Sequence, residues 1–102
     1  PNVIYEIFNE LVKDTWADVK KYSEDVIACI RAVDREALIL VGTPHWDQDV
    51  HLAADDPIKN VHNIMYTLHF YAATHKTSLR WKKDFLFLFP NVPAWKQAEM
   101  EI

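Results

Sequence analysis

The sequence predicts an α/β fold with a parallel sheet of about three strands and flanking helices, on three observations. Element types alternate as strand, helix, strand, loop, strand, which is the order of βαβ units with right-handed crossovers. The strand candidates are near-continuous apolar and β-branched runs, as in parallel sheets covered on both faces. The first run stops abruptly in Asn9-Glu10, an amide and a carboxylate at a strand end. No internal repeat or low-complexity stretch interrupts this order.

Residues 3–8 form the first strand, an apolar run broken only by Glu6, which the pattern places deep in the sheet. A helix follows over residues 15–33. Thr15 supplies a hydroxyl for the first turn and Asp18 stands three residues on. Trp16, Val19, Tyr22, Val26, Ile30 and Val33 make its inward stripe, with Lys20, Lys21, Glu24 and Arg31 turned to water. Cys29, the single cysteine, excludes an internal disulfide, and its spacing with Val26, Ile30 and Val33 predicts a buried, inert thiol. Residues 37–41 read as the second strand, stopped by Gly42-Thr43-Pro44. Residues 45–60 read as a long polar loop with one helical turn, of the kind that carries function. Residues 64–70 are the third strand. In the tail, residues 78–83 suit a helix start, residues 85–89 are five large apolar side chains before Pro90, and residues 94–102 suit a short amphipathic helix with Trp95, Ala98 and Ile102 on one side.

Composition narrows the function classes. The chain has 102 residues, 50% hydrophobic and 25% charged, with one glycine. No apolar run approaches the roughly 18 residues of a membrane span, and the mean hydropathy is -0.17. A net charge of -4 argues against nucleic acid as a partner, because phosphate backbones select basic faces. Gly-rich phosphate loops are absent, so nucleotide chemistry is not expected. A neutral polysaccharide needs neither feature. The chain starts at Pro1 with no secretory signal, so it carries no address as it stands.

The stretch 2–10, NVIYEIFNE, resembles the acid/base strand of glycoside hydrolase family 5 cellulases. The resemblance continues through residues 16–27, residues 38–50 (LILVGTPHWDQDV) and residues 63–75 (NIMYTLHFYAATH), in the family's order. It implies strands four to six of a (β/α)8 barrel, a partial TIM-type fold, since a complete barrel needs roughly 250 residues. Side chains at the carboxyl ends of barrel strands face the active site. By the resemblance, Glu10 is the general acid/base that protonates the leaving sugar oxygen, and Asn9 hydrogen-bonds the hydroxyl beside the cleaved bond. His69 and Tyr71 orient substrate and nucleophile, and Trp46 is a sugar platform. The implied activity is cleavage of internal β-1,4 bonds in glucan, with chitosan as a related substrate and no cofactor. Relatives of this family are commonly secreted.

Two departures stand out. Leu11 follows the acid/base where the family usually has Pro, and the family's nucleophilic Glu has no counterpart, its place falling near Gln97. Family likeness covers residues 1–80, and residues 81–102 form a divergent tail. Glycosidases normally employ two carboxyl groups, roughly 5 to 5.5 Å apart for retention and 6.5 to 9.5 Å for inversion. Glu6 lies about 13 Å along the strand from Glu10, too far. The candidates for the second acid are Asp47, Asp49, Glu99, Glu101 and Glu10 of a second chain. The alternation of His45, Asp47, Asp49 and His51 would align four ligands on one side of an extended segment, but it lacks structural-zinc spacing, and no metal is assigned. His51, His62 and His75 are given no role. Unpaired sheet edges predict a homodimer with the tail as interface. The alternative function is an inactive barrel fragment that only binds polysaccharide or serves as an assembly module.

Overall fold

The computed structural model describes residues 3–71, and the helices and apolar run expected in the tail lie outside the described residues, as do Gln97, Glu99 and Glu101. Six elements follow in order: β1 (Ile4–Glu6), α1 (Trp16–Val33), β2 (Leu38–Val41), α2 (Pro44–Asp47), α3 (Val50–Asp55) and β3 (Ile64–Tyr66). The strands make one three-stranded parallel sheet in the order β1-β2-β3. Its register pairs Ile4 with Leu38 and Leu40 with Met65. The predicted parallel α/β architecture is therefore present, with β1 and β3 shorter than the apolar runs that contain them.

Helix α1 starts where its cap requires. The Thr15 hydroxyl accepts the Asp18 backbone N–H at 3.2 Å and donates to the Asp18 carboxylate at 2.5 Å, so one side chain satisfies an orphan donor of the first turn. At the other end the Asp34 N–H closes on the Ile30 carbonyl at 2.7 Å. The Asp34 carboxylate then accepts the N–H groups of Glu36 and Ala37, an Asx turn that aims the chain into β2.

The face that α1 buries differs from the expected stripe. Trp16, Val19, Ser23 and Ile27 are buried, whereas Tyr22 is 49% and Val33 89% exposed. Steps of three, four and four residues keep a narrow stripe pointing at the sheet, and Tyr22 and Val33 fall beside it. Ser23 escapes an apolar-only reading because its hydroxyl donates to the Val19 carbonyl at 2.7 Å and leaves no polar atom unpaired. The same rotation turns Cys29 outward. It is an exposed free thiol, not a buried one.

The core lies between α1 and one sheet face. Ile27, Ile39, Val41 and Ile58 form its centre, joined by Tyr5, Ile7, Ile64 and Tyr66. A second cluster of Trp16, Val19 and Ala53 ties α1 to α3. Trp16 fixes that junction, its indole N–H reaching the Asp56 carbonyl at 3.0 Å and its ring meeting Tyr66 edge-on at 6.0 Å. The opposite sheet face carries Ile4, Glu6, Leu38, Leu40 and Met65, and Ile4, Glu6 and Met65 are exposed. Glu6 is thus on an open face, contrary to its expected burial, because only one side of this sheet is covered by α1.

Residues 45–60 fold into more than a loop with one helical turn. α2 is a tight turn in which His45, Trp46 and Asp47 all adopt the left-handed conformation, with φ of 59°, 57° and 56°. α3 then packs Val50 and Ala53 inward. Such a path is not extended, so the alternation of His45, Asp47, Asp49 and His51 does not align them. Among the described residues no three His, Cys, Asp or Glu side chains gather as metal ligands. No helix among the described residues is long and apolar enough to cross a membrane.

Candidate active site

Because the strands are parallel, their carboxyl ends share one edge of the sheet, and the segment after each strand delivers one polar side chain there. Glu10 follows β1 with φ of 51°, a left-handed residue that ends the strand's direction. Asp47 closes the left-handed turn after β2, and His69 follows β3. The His69 Nδ1 lies 3.0 Å from Glu10 Oε1, and its Nε2 lies 3.5 Å from Asp47 Oδ2. Glu10 and His69 keep about a third of their side-chain surface open, while Asp47 is fully buried.

Backbone contacts lock this arrangement. The Asp47 carboxylate accepts the Thr43 N–H at 2.8 Å and the Glu10 N–H at 3.3 Å, and the Asp47 carbonyl accepts the His69 N–H at 2.9 Å. The Trp46 N–H reaches the Leu11 carbonyl at 3.0 Å, stitching the turn to the segment after Glu10. Three consecutive left-handed residues cost roughly 1–2 kcal/mol each. This network is what holds them. Gly42 makes room for it, since a Cβ there would collide with the Asp47 carboxylate and the Phe8 ring.

Beside the carboxylate is a cleft of about 320 Å³ lined by Glu10, Leu68, His69, Phe70 and Tyr71. Tyr71 is 71% exposed at its rim. Thus Glu10, His69 and Tyr71, expected together from sequence, share one cleft. Asn9 is exposed next to Glu10 but does not line it. Trp46 does not line it either. Its indole is 42% exposed and leans on the His45 ring at 4.8 Å. The residue sequence reasoning misjudged is Asp47, weighed as a metal ligand or second acid. Its buried carboxylate is engaged on both oxygens, and the one signal that could have found it is Gly42, a lone glycine directly after a strand.

Three parallel strands that bring an acid, a histidine and a buried aspartate to their common carboxyl edge have the arrangement of a segment of an α/β barrel. The family model described as cellulase (glycosyl hydrolase family 5) matches residues 1–97, and the chain belongs to that family. It is 58% identical over 83 residues to Endoglucanase Z of Dickeya dadantii (strain 3937), which covers 80% of this chain and 19% of that relative. An endoglucanase of Clostridium saccharobutylicum is 54% identical over 86 residues, covering 82% of this chain and 19% of its own. The chain thus spans about a fifth of the length of these curated relatives. Among solved structures, Cellulase Cel5C_n superposes with a TM-score of 0.76 at 50% identity, covering 84% of this chain and 27% of that one. The Thermobifida fusca endoglucanase Cel5A catalytic domain in complex with cellotetraose gives 0.74 at 38% identity, covering 81% and 30%. These neighbours are (β/α)8 barrels, and the chain is a partial barrel of that type.

Proposed function

We propose that this chain carries the acid/base half of a glycoside hydrolase site that cleaves internal β-1,4 bonds of glucan, with chitosan as a related substrate. The observation that carries the reading is Glu10, a carboxyl about a third open in the segment after β1, hydrogen-bonded to His69 and lining a cleft with Tyr71. The endoglucanase names of its relatives support the substrate class.

Glu10 gives a proton to the oxygen of the departing sugar as the glycosidic bond breaks, then takes one from the attacking water. His69 sets the direction of the Glu10 carboxyl through the 3.0 Å contact. Tyr71 presents an exposed phenol to a sugar hydroxyl at the rim. Asn9 adjoins the acid and Trp46 offers an open indole face; they serve as outer sugar contacts. The second carboxylate of the reaction is not Asp47, whose oxygens are buried and occupied by backbone donors. Of the acids weighed for that role, Asp49, Glu99, Glu101 and Glu10 of a second chain remain, and the part of the relatives' length that this sequence does not span is a further source.

Reducing-sugar release from a soluble β-1,4-glucan tests this. The wild-type chain releases reducing ends, and Glu10→Gln lowers kcat by roughly 10²–10⁴-fold, the contribution of a positioned general acid. Equal activity in both removes Glu10 from the chemistry. Absence of hydrolysis in both, with binding of cello-oligosaccharides retained, would replace this reading with that of a glucan-binding barrel fragment.

A further inference from the structure

His69 is held between two carboxylates, Glu10 on Nδ1 and Asp47 on Nε2. Asp47 cannot serve the reaction directly, because it is fully buried. Yet it has four ties to the site: the Thr43 and Glu10 backbone N–H groups, the His69 imidazole, and the His69 backbone N–H through its carbonyl. Both of its carboxylate oxygens already face N–H donors, so it offers His69 acceptor lone pairs only. Of the two neutral tautomers, the one with its hydrogen on Nε2 turns an N–H toward that carboxylate, 3.5 Å away.

We propose that Asp47 is a positioning residue that keeps a hydrogen on Nε2 of His69, so that His69 Nδ1 and Glu10 Oε1 hold one proton between them. The inference rests on the reading of Glu10 as the general acid. With that proton on Oε1 the imidazole is neutral and Nδ1 accepts; with it on Nδ1 the ring is an imidazolium facing a carboxylate. Transfer to the departing sugar oxygen empties the pair, and deprotonation of the attacking water refills it, so protons balance over a turnover. Without Asp47 a neutral His69 is free to carry its one hydrogen on Nδ1 and donate it to an ionised Glu10. The acid would then have no proton to give. A buried carboxylate that fixes an imidazole tautomer for a reacting group is the logic by which a serine-protease aspartate serves its histidine.

The test uses the full chain with ¹⁵N-labelled histidine, His69 being assigned by its loss in His69→Gln. The expected wild-type pattern is a hydrogen on Nε2 and a shared proton at Nδ1. In Asp47→Asn the amide keeps the shape but can turn a donor toward Nε2, so the neutral ring hydrogen moves to Nδ1. Alongside, kcat falls at least tenfold and as far as the roughly 10²–10⁴-fold worth of the acid, while KM holds. A wild-type ring with Nε2 bare overturns the proposal, and does so even if the variant does not fold. An Asp47→Asn ring pattern identical to wild type overturns it too, whatever happens to the rate. Failure of the underlying reading looks different: Glu10→Gln then hydrolyses as wild type does, while the ring pattern still reports on Asp47 by itself.

Discussion

Gly42 follows β2 directly, and its missing side chain is what lets the Asp47 carboxylate reach the Thr43 and Glu10 N–H groups. In Gly42→Ala the added methyl meets Asp47 and Phe8, neither of which is a free surface side chain. Overpacking of this kind costs about 1–3 kcal/mol, read as a lower denaturation midpoint. Displacement of Asp47 should also lower kcat on glucan while leaving the cleft residues intact. A variant as stable and as active as wild type would mean that the turn can move away from β2 without consequence. At this scale the sequence disclosed Glu10 by its place just past an apolar run, and His69 and Tyr71 through their match to the family motif. It did not disclose Asp47's part, since nothing in His45-Trp46-Asp47 signals a left-handed turn that non-glycine residues avoid.

At the level of elements, the junction of α1, α3 and β3 turns on Tyr66. Its hydroxyl accepts the Ile58 N–H at 2.8 Å. Burial raises its phenol above the ordinary 10.0, the hydrogen bond from Ile58 pulling more weakly the other way. The native state therefore holds the Tyr66 proton more tightly than the unfolded chain does. Its contribution is complete below about pH 10, the unfolded value, and is lost as pH rises through the higher folded value. Tyr66→Phe should flatten the decline of the denaturation midpoint above that pH, while lowering stability at neutral pH by about 1–3 kcal/mol for the unpaired Ile58 N–H. An identical alkaline decline in the variant would place the titration elsewhere. The helix was legible end to end because capping chemistry is local: Thr15, Asp18 and Asp34 each act within a few residues. Its buried face was less so, since Tyr22 and Ser23 are adjacent and only the sheet's position chooses between them.

For the molecule as a whole, the sheet face that no described residue covers bears on its behaviour. Ile4 and Met65 are 60% and 45% exposed on the side that α1 does not reach, and β1 and β3 are paired on one side only within this sheet. Open apolar faces and strand edges unpaired among the described residues favour association, and we propose a second copy of the chain as the partner. Light scattering at micromolar concentration should give the mass of a dimer, and Met65→Lys should shift it toward one chain. A single-chain mass for the wild type at that concentration sinks the idea.

What the sequence determined by itself is the order of the three strands and α1, the parallel sheet, and the family resemblance read over residues 1–80. These rest on local signals: runs of β-branched residues, a capped amphipathic helix, and polar residues set at strand ends. What only the tertiary structure decided is which face of α1 is buried, that Cys29 is exposed, that Glu6 lies on an open face, and that Asp47 is the buried partner of His69. Each of those depends on contacts between segments far apart in the chain, such as the 37 positions between Glu10 and Asp47. Periodicity constrains neighbours along a strand or helix. It carries no information about which distant backbone N–H a carboxylate will find.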